Sequence, residues 1–285
     1  MLAEKCNEEI IYSSYKYIIK EVQMELNDNV ILKKSDGIEY IQFKKLLEYG
    51  INHCYTLKSD GIDFSTGNPN QEDSLQKICK AINVKRENLI IPIQTHSINL
   101  KNVWGELPKE ELENVDGLIS DKPEGVLASR NADCILFFFF DPVKRVIANV
   151  HSGWKGTLKK VGEKTIVKMI TDYGCKAEDI LCFINPCIRS CHFEVDEDVK
   201  LLCEEIFKFT GKLNEFIFKG EIKDGKQKYY IDTVKINKIL FKDIGMREEN
   251  IIDSEICSIC NKDQIHSARA EGENFTRAIA LIELS

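Results

Sequence analysis

Cys134 and His151 are the residues whose types and spacing most directly suggest chemistry. Between them, Ile135–Phe140 is a β-favouring apolar run, Asp141-Pro142-Val143-Lys144 is a turn signal, and Arg145–Val150 reads as a returning strand. Pairing residue 140 with residue 145 sets 134 opposite 151. Directly opposed residues hold their Cβ atoms about 4.5–5.5 Å apart. A thiolate and an imidazole so placed can share one metal ion, with Zn–S at about 2.3 Å and Zn–N at about 2.0 Å. They can equally form a cysteine nucleophile with a histidine base. His96, in Gln94-Thr95-His96-Ser97 after an expected strand, is a third candidate ligand, because polar neighbours at a strand end turn it towards a cleft. The other histidines are His53, His192 and His266.

The segment His151-Ser-Gly-Trp-Lys-Gly156 follows at once, and a helix is expected to open at Thr157. Two glycines before a helix N-terminus let amide groups face an anion, and Lys155 adds a mobile positive charge. A plain strand-to-helix connection with Lys155 solvated is the alternative. The spacing is not that of a P-loop. Cys257-Ser-Ile-Cys260 has the spacing of a zinc or redox pair, which Cys187 and Cys191-His192 would have to complete. With no second CxxC, thiols packed near a sheet edge are the preferred reading. His192-Phe-Glu194 with the later cysteine pair echoes the zinc deaminase signature, but Ile256 stands where its proline belongs, and that reading is rejected.

The elements that must position these residues alternate irregularly. Strands are expected at Ile38–Phe43, Leu89–Gln94, Gly125–Ala128, Ile135–Phe140, Arg145–Val150, Ile180–Asn185, Lys228–Ile231 and Ala278–Ile282. Helices are expected at Gln71–Ile82, Thr157–Tyr173, Asp196–Phe209 and Thr233–Ile244, with Asn70 and Asp232 as N-caps and Gly174 as a C-cap. The pattern predicts an α/β fold, one domain over residues 1–285 with layered mixed β-sheets flanked by helices. No linker or internal repeat divides it. A net charge of −7 argues against nucleic-acid and anionic-membrane partners. The longest apolar run is too short to span a bilayer, and Met1 to Val30 shows no signal segment. Eleven cysteines then read as reduced thiols in a cytoplasmic protein.

Taken in order, Gln94-Thr-His96-Ser, Val115-Asp116-Gly-Leu-Ile119, Ala132-Asp-Cys134, His151-Ser-Gly-Trp-Lys-Gly156, Asn185-Pro-Cys-Ile188 with Phe193-Glu-Val195, Asp232 with Asn237, His266-Ser-Ala-Arg269 and Phe275-Thr-Arg277 form a recognisable series. It resembles the laccase-domain family, formerly called multicopper polyphenol oxidases and now usually purine nucleoside phosphorylases, whose bacterial members include a peptidoglycan editing factor. The motifs run from about residue 94 to residue 285. The resemblance implies a single α/β domain and zinc held by His96, Cys134 and His151. It also implies phosphorolysis of adenosine, inosine, guanosine and methylthioadenosine, together with deamination of adenosine. The partners would be purine nucleosides and phosphate. Lys155, Arg269 and the Thr157 amide would then hold phosphate, Gln94 would line the substrate site, and Asp116 would carry a proton or touch ribose. Lys155 stands where arginine is usual, Asn185 where glycine is usual, and Phe275-Thr-Arg277 where Thr-Gly-Arg is usual.

Copper is the weaker alternative cofactor. His₂Cys ligation also describes blue-copper sites, but a multicopper oxidase needs a further histidine-built cluster that five histidines cannot supply. Two other readings remain open: a cysteine-dependent amidase on peptidoglycan precursors, with Cys134 as nucleophile and His151 as base, and a non-catalytic zinc-binding protein.

Overall fold

The apolar run at 135–140 governs the architecture, because a strand apolar on both faces must be covered twice. A computed structural model describes residues 22–104 and 109–284. The expectation that Met1 to Val30 carries no signal segment therefore lies mostly outside the described residues. The described chain opens with β1 (Val22–Glu25), β2 (Val30–Ser35) and β3 (Ile38–Phe43), then α1 (Lys44–Glu48), β4 (Asn52–Thr56), α2 (Gln71–Ala81) and β5 (Leu89–Ile90). Next come β6 (Leu100–Asn102), β7 (Gly117–Ser120), β8 (Val126–Asn131), β9 (Ile135–Asp141) and β10 (Val146–Ser152). Helices α3 (Trp154–Leu158) and α4 (Val161–Tyr173) lead to β11 (Leu181–Ile184), β12 (Glu194–Val195) and α5 (Glu197–Phe207). The hairpin β13 (Ile217–Lys223) and β14 (Lys226–Ile231), α6 (Thr233–Asp243), β15 (Ile251–Asp253), α7 (Ala268–Glu271) and β16 (Ala278–Glu283) complete the fold.

One seven-stranded sheet runs β1-β2-β3-β4-β16-β8-β5, and a six-stranded sheet runs β15-β11-β9-β10-β7-β6. Both are mixed, since β5–β8, β6–β7 and β11–β15 pair in parallel and the other pairs are antiparallel. A small antiparallel sheet, β12-β14-β13, stands apart from both. Between the two large sheets, Phe138 and Phe140 of β9 pack with Phe43, Leu127, Phe183 and Ala280. On the opposite face, Phe137 and Phe139 pack with Val161, Ile166, Met169 and Phe241 of α4 and α6. Helix α2 closes the outer face of the large sheet through Leu75 and Ile78. The order is therefore helix, sheet, sheet, helices, as the expected fold class requires. Each of the four buried phenylalanines contributes roughly 1.5–3 kcal/mol by leaving water.

The β9–β10 register differs from the expected one by two residues. Phe140 pairs with Ile147 and His151 with Leu136, so the loop is 142–145 rather than 141–144. Asp141 extends the strand, and its Oδ1 accepts from the Val143 and Lys144 amides at 2.8 and 2.9 Å, while Arg145 closes the turn at φ +52°. Because side chains alternate with period two, a two-residue shift keeps every residue on its face. Cys134 and His151 therefore still meet, diagonally rather than directly. The helix expected at Thr157–Tyr173 is broken at Lys160, which adopts φ +60°. Pro92 limits the strand expected at Leu89–Gln94 to two residues, since it has no N–H to donate. Asp232 caps α6 through the Lys235 amide and Gly174 ends α4 in the left-handed region, both as expected. Asn70 makes no side-chain cap, contrary to expectation.

Candidate metal centre and cavity

The corner Ala132-Asp133-Cys134 carries the chain from β8 in one large sheet to β9 in the other. Asn131 braces it, donating to the Cys134 and Pro186 carbonyls and accepting from the Tyr55 hydroxyl. Asp133 takes φ +82° and accepts from Ser258 Oγ at 2.5 Å and from the Arg269 amide at 2.7 Å. His151 lies near the end of β10, and His96 sits at φ +61° in the loop before β6. One ligand atom from each of His96, Cys134 and His151 falls within 4.8 Å of the others. Cys134 Sγ is 3.7 Å from His96 Nε2, and the two imidazole rings cross at 76° with centroids 4.9 Å apart. A Cβ added to Gly153 would stand 2.6 Å from His96 Cδ2 and 3.1 Å from Cys134 Sγ, so only glycine lets the three converge. This donor set, two imidazoles and one thiol around a common space, fits a three-ligand zinc site.

Asp116 is fully buried beneath the trio. Its Oδ1 accepts from His151 Nδ1 at 2.7 Å and from the His96 amide at 3.1 Å. Its Oδ2 accepts from the Thr95 amide at 3.2 Å, the Ser97 amide at 2.7 Å and Ser97 Oγ at 2.6 Å. Burial opposes its ionisation, but the bonds from His151 and Ser97 outweigh it and bring the carboxyl to about 2. With every lone pair engaged and no face on the cavity, Asp116 orients both histidines and does not reach a substrate. The bond at Nδ1 leaves His151 Nε2 for a metal, as is usual for ligating histidines. Burial also opposes the Cys134 thiolate, yet hydrogen bonds and charge from His151 and His96 hold the thiol down at about 6. His151 is itself held up at about 9 by Asp116 and Cys134 against the effect of burial.

The trio opens into a cavity of about 690 Å³, within the usual size of a small-molecule site. Its walls include Trp154, Phe193 and Phe275 and the arginines Arg130, Arg269 and Arg277. Arg269 is held by Nη1 on the Glu194 carbonyl at 3.2 Å, and Arg130 rests on the Phe64 and Pro92 carbonyls at 3.3 and 3.4 Å. Among the described residues no carboxylate pairs with any of the three. Burial and the charge of Arg277 push Arg130 below its ordinary value, the mark of cations with no counter-ion between them.

Lys155 does not line this cavity; it is exposed on α3, its Nζ 5.5 Å from the Trp154 ring centroid. The helix opens at Trp154 rather than Thr157, and the Thr157 amide is already bonded to the Gly153 carbonyl at 2.9 Å, so it cannot hold an anion. Gln94 borders the cavity, but its amide is engaged twice with the Arg130 backbone, at 2.8 Å each way, fastening the His96 loop to β8. Arg130 and Asp133 went unselected in the sequence. The signal available for Arg130 was its place two residues before Ala132-Asp-Cys134 in the sequence. His53 and His266 lie outside the trio, His53 in the core with both ring nitrogens bonded to backbone.

The thiols expected to pack near a sheet edge do more than that. Cys191, His192, Cys257 and Cys260 bring their ligand atoms within 4.8 Å of one another, while Cys187 is buried in a backbone bridge to Cys257.

Comparison with known proteins gives this geometry a family. Residues 67–285 match the family described as multi-copper polyphenol oxidoreductase laccase, and the chain belongs to it. It is 29% identical to a Clostridium acetobutylicum protein named purine nucleoside phosphorylase CA_C1699, over 88% of this chain and 98% of that one. It is 26% identical to adenosine deaminase RL5 from an unknown prokaryotic organism, over 80% and 84%. The chain spans 41% and 53% of the mouse and human proteins named purine nucleoside phosphorylase LACC1 that it matches. In fold it is similar to the Bacillus licheniformis hypothetical protein YfiH, with a TM-score of 0.77 at 20% identity, over 86% of this chain and 96% of that one.

Proposed function

We propose that this chain is a zinc-dependent purine nucleoside phosphorylase that also deaminates adenosine. The observation that carries the reading is one cavity lined by both an open three-ligand set and three arginines that pair with no described carboxylate. Relatives bearing those two activities in their names support it. Zinc held by His96, Cys134 and His151 would supply a Lewis acid to a water or a purine substituent. The protein's own groups do the rest. Arg130 and Arg277 would bind phosphate against the ribose carbon, lowering the energy of the charge that passes between phosphate and departing base. Arg269, stacked near Phe193 with its guanidinium carbon 5.9 Å from the ring centroid, would orient the nucleoside. Trp154, Phe193 and Phe275 offer ring faces to the purine. Ten described cysteines are free thiols, which fits the reducing cytoplasm as its location. No described helix is long and apolar enough to cross a membrane.

The test is to incubate metal-replete protein with adenosine, with and without phosphate. Adenine formation that needs phosphate, and inosine formation that does not, are expected. Both should vanish with a chelator and return with zinc. A second reading, a thiol hydrolase, draws on Cys134 being held down at about 6 beside His96. Amide hydrolysis that survives metal removal but not thiol alkylation would establish that reading and end the first.

A further inference from the structure

Two chain segments outside the cavity bring four ligating side chains to one point. Cys191 Sγ lies 3.6 Å from Cys257 Sγ and 3.8 Å from Cys260 Sγ. His192 Nδ1 lies 3.2 Å from Cys191 Sγ, 3.7 Å from Cys257 Sγ and 3.6 Å from Cys260 Sγ. A tetrahedron built on Zn–S of about 2.3 Å and Zn–N of about 2.0–2.1 Å has S–S edges near 3.8 Å and S–N edges near 3.6 Å. Four of the five separations fall within about 0.2 Å of those edges. Apolar burial does not explain the meeting, because Cys191 and Cys260 are exposed.

We propose that Cys191, His192, Cys257 and Cys260 bind a second zinc ion in a closed, structural site. Three thiolates and one imidazole in tetrahedral array select zinc over harder cations, and four protein ligands leave no position for substrate. The ion ties residues 189–194 to residues 256–261. The first segment carries Phe193 and the Glu194 carbonyl that holds Arg269. The second carries Ser258, whose hydroxyl holds Asp133 beside Cys134. The segments also join directly through Arg189 Nε on the Ile256 carbonyl at 3.4 Å, and Cys187 just before them exchanges backbone bonds with Ile256 and Ser258. The second zinc thus stiffens the cavity wall without touching the reaction.

Elemental analysis of the full chain tests this, with roughly two zinc ions per chain expected in the wild type. Cys191→Ser/Cys260→Ser should lose about one and keep the ion at Cys134, whereas Cys134→Ser should lose the other. If wild type holds about one ion and only the double variant loses it, the second site stands and the zinc at Cys134 falls. A double variant with wild-type zinc content overturns the proposal. So does a wild-type chain free of zinc here and about 2 Da lighter than its reduced form, which would mark a disulfide. Should the double variant fail to fold, cobalt-loaded Cys134→Ser keeps the proposal open to refutation. A thiolate-to-cobalt absorption band of three-thiolate intensity supports it, and absence of the band overturns it.

Discussion

Replacing Asp116 by asparagine should weaken zinc binding without altering a single ligand. The carboxylate accepts five hydrogen bonds, two at Oδ1 and three at Oδ2. Asparagine keeps the shape but makes one of those atoms an NH₂ group, which cannot accept. Placed at Oδ2, the NH₂ faces the Thr95 and Ser97 amides, and the loop that presents His96 must move. Placed at Oδ1, it opposes the His96 amide and forces His151 Nδ1 to become the acceptor. The proton then moves to Nε2, which can no longer ligate. Either orientation forfeits at least one charge-assisted bond, at about 1.5–3 kcal/mol, in line with the 10- to 100-fold loss of metal affinity typical of such carboxylates. Competition against a chromophoric chelator at neutral pH would measure it. The same variant should show His151 titrating well below about 9, since Asp116 is the main group holding it up. A folded Asp116→Asn protein whose zinc affinity stays within about threefold of wild type would refute the positioning role.

Three further outcomes follow from the cavity and from the core beneath it. Arg277→Ala should weaken phosphorolysis roughly 10- to 150-fold by removing a charge-assisted contact to phosphate, with deamination much less affected. Lys155→Ala should change neither by more than about threefold, since Lys155 lies off the cavity; steady-state assays with and without phosphate would decide. Asp253 accepts from both Arg189 terminal nitrogens at 2.9 and 2.5 Å and from Lys238 at 2.7 Å, so Asp253→Asn should cost roughly 3–5 kcal/mol and lower Tm by roughly 6–20 °C. Burial raises the Asp253 pKa, but the Arg189 and Lys238 charges prevail and depress it to about 2. Its contribution is therefore complete above the unfolded value of about 3.9 and disappears as pH falls towards 2. Thermal melts should show the wild-type advantage shrinking over that window, and a gap that stays constant would remove Asp253 as its cause.

How much of the site could be read from residues alone depended on parity more than on register. The 140–145 pairing was displaced by two, because Asp141 joined the strand and Arg145 took the left-handed turn position. A displacement of one would have sent Cys134 and His151 to opposite faces; a displacement of two left them together. The apolar run at 135–140 marked its strand plainly because both faces are buried. The break at Lys160 was invisible, since nothing in Lys159-Lys160-Val161 announces a left-handed residue. Asp116 was singled out for the wrong task. The carboxylate's use depends on three amides some twenty residues earlier folding around it, which nothing beside Asp116 in the sequence announces.

The least legible feature was the cysteine cluster, and topology explains why. Ile184 at the end of β11 pairs with Asp253 at the end of the parallel strand β15. Parallel neighbours deliver the loops that follow them to the same sheet edge, so Cys187–His192 and Cys257–Cys260 must meet there. Nothing within either segment declares that partnership, because their strands lie some seventy residues apart and β15 is only three residues long. The antiparallel strand β9 begins at that same edge, Phe137 lying opposite Ile184, and the preceding corner carries Asp133 and Cys134. The two clusters of cysteine and histidine side chains are thus neighbours by sheet order. Asp133, next to Cys134, accepts from Ser258, which lies between Cys257 and Cys260, and so joins the two directly.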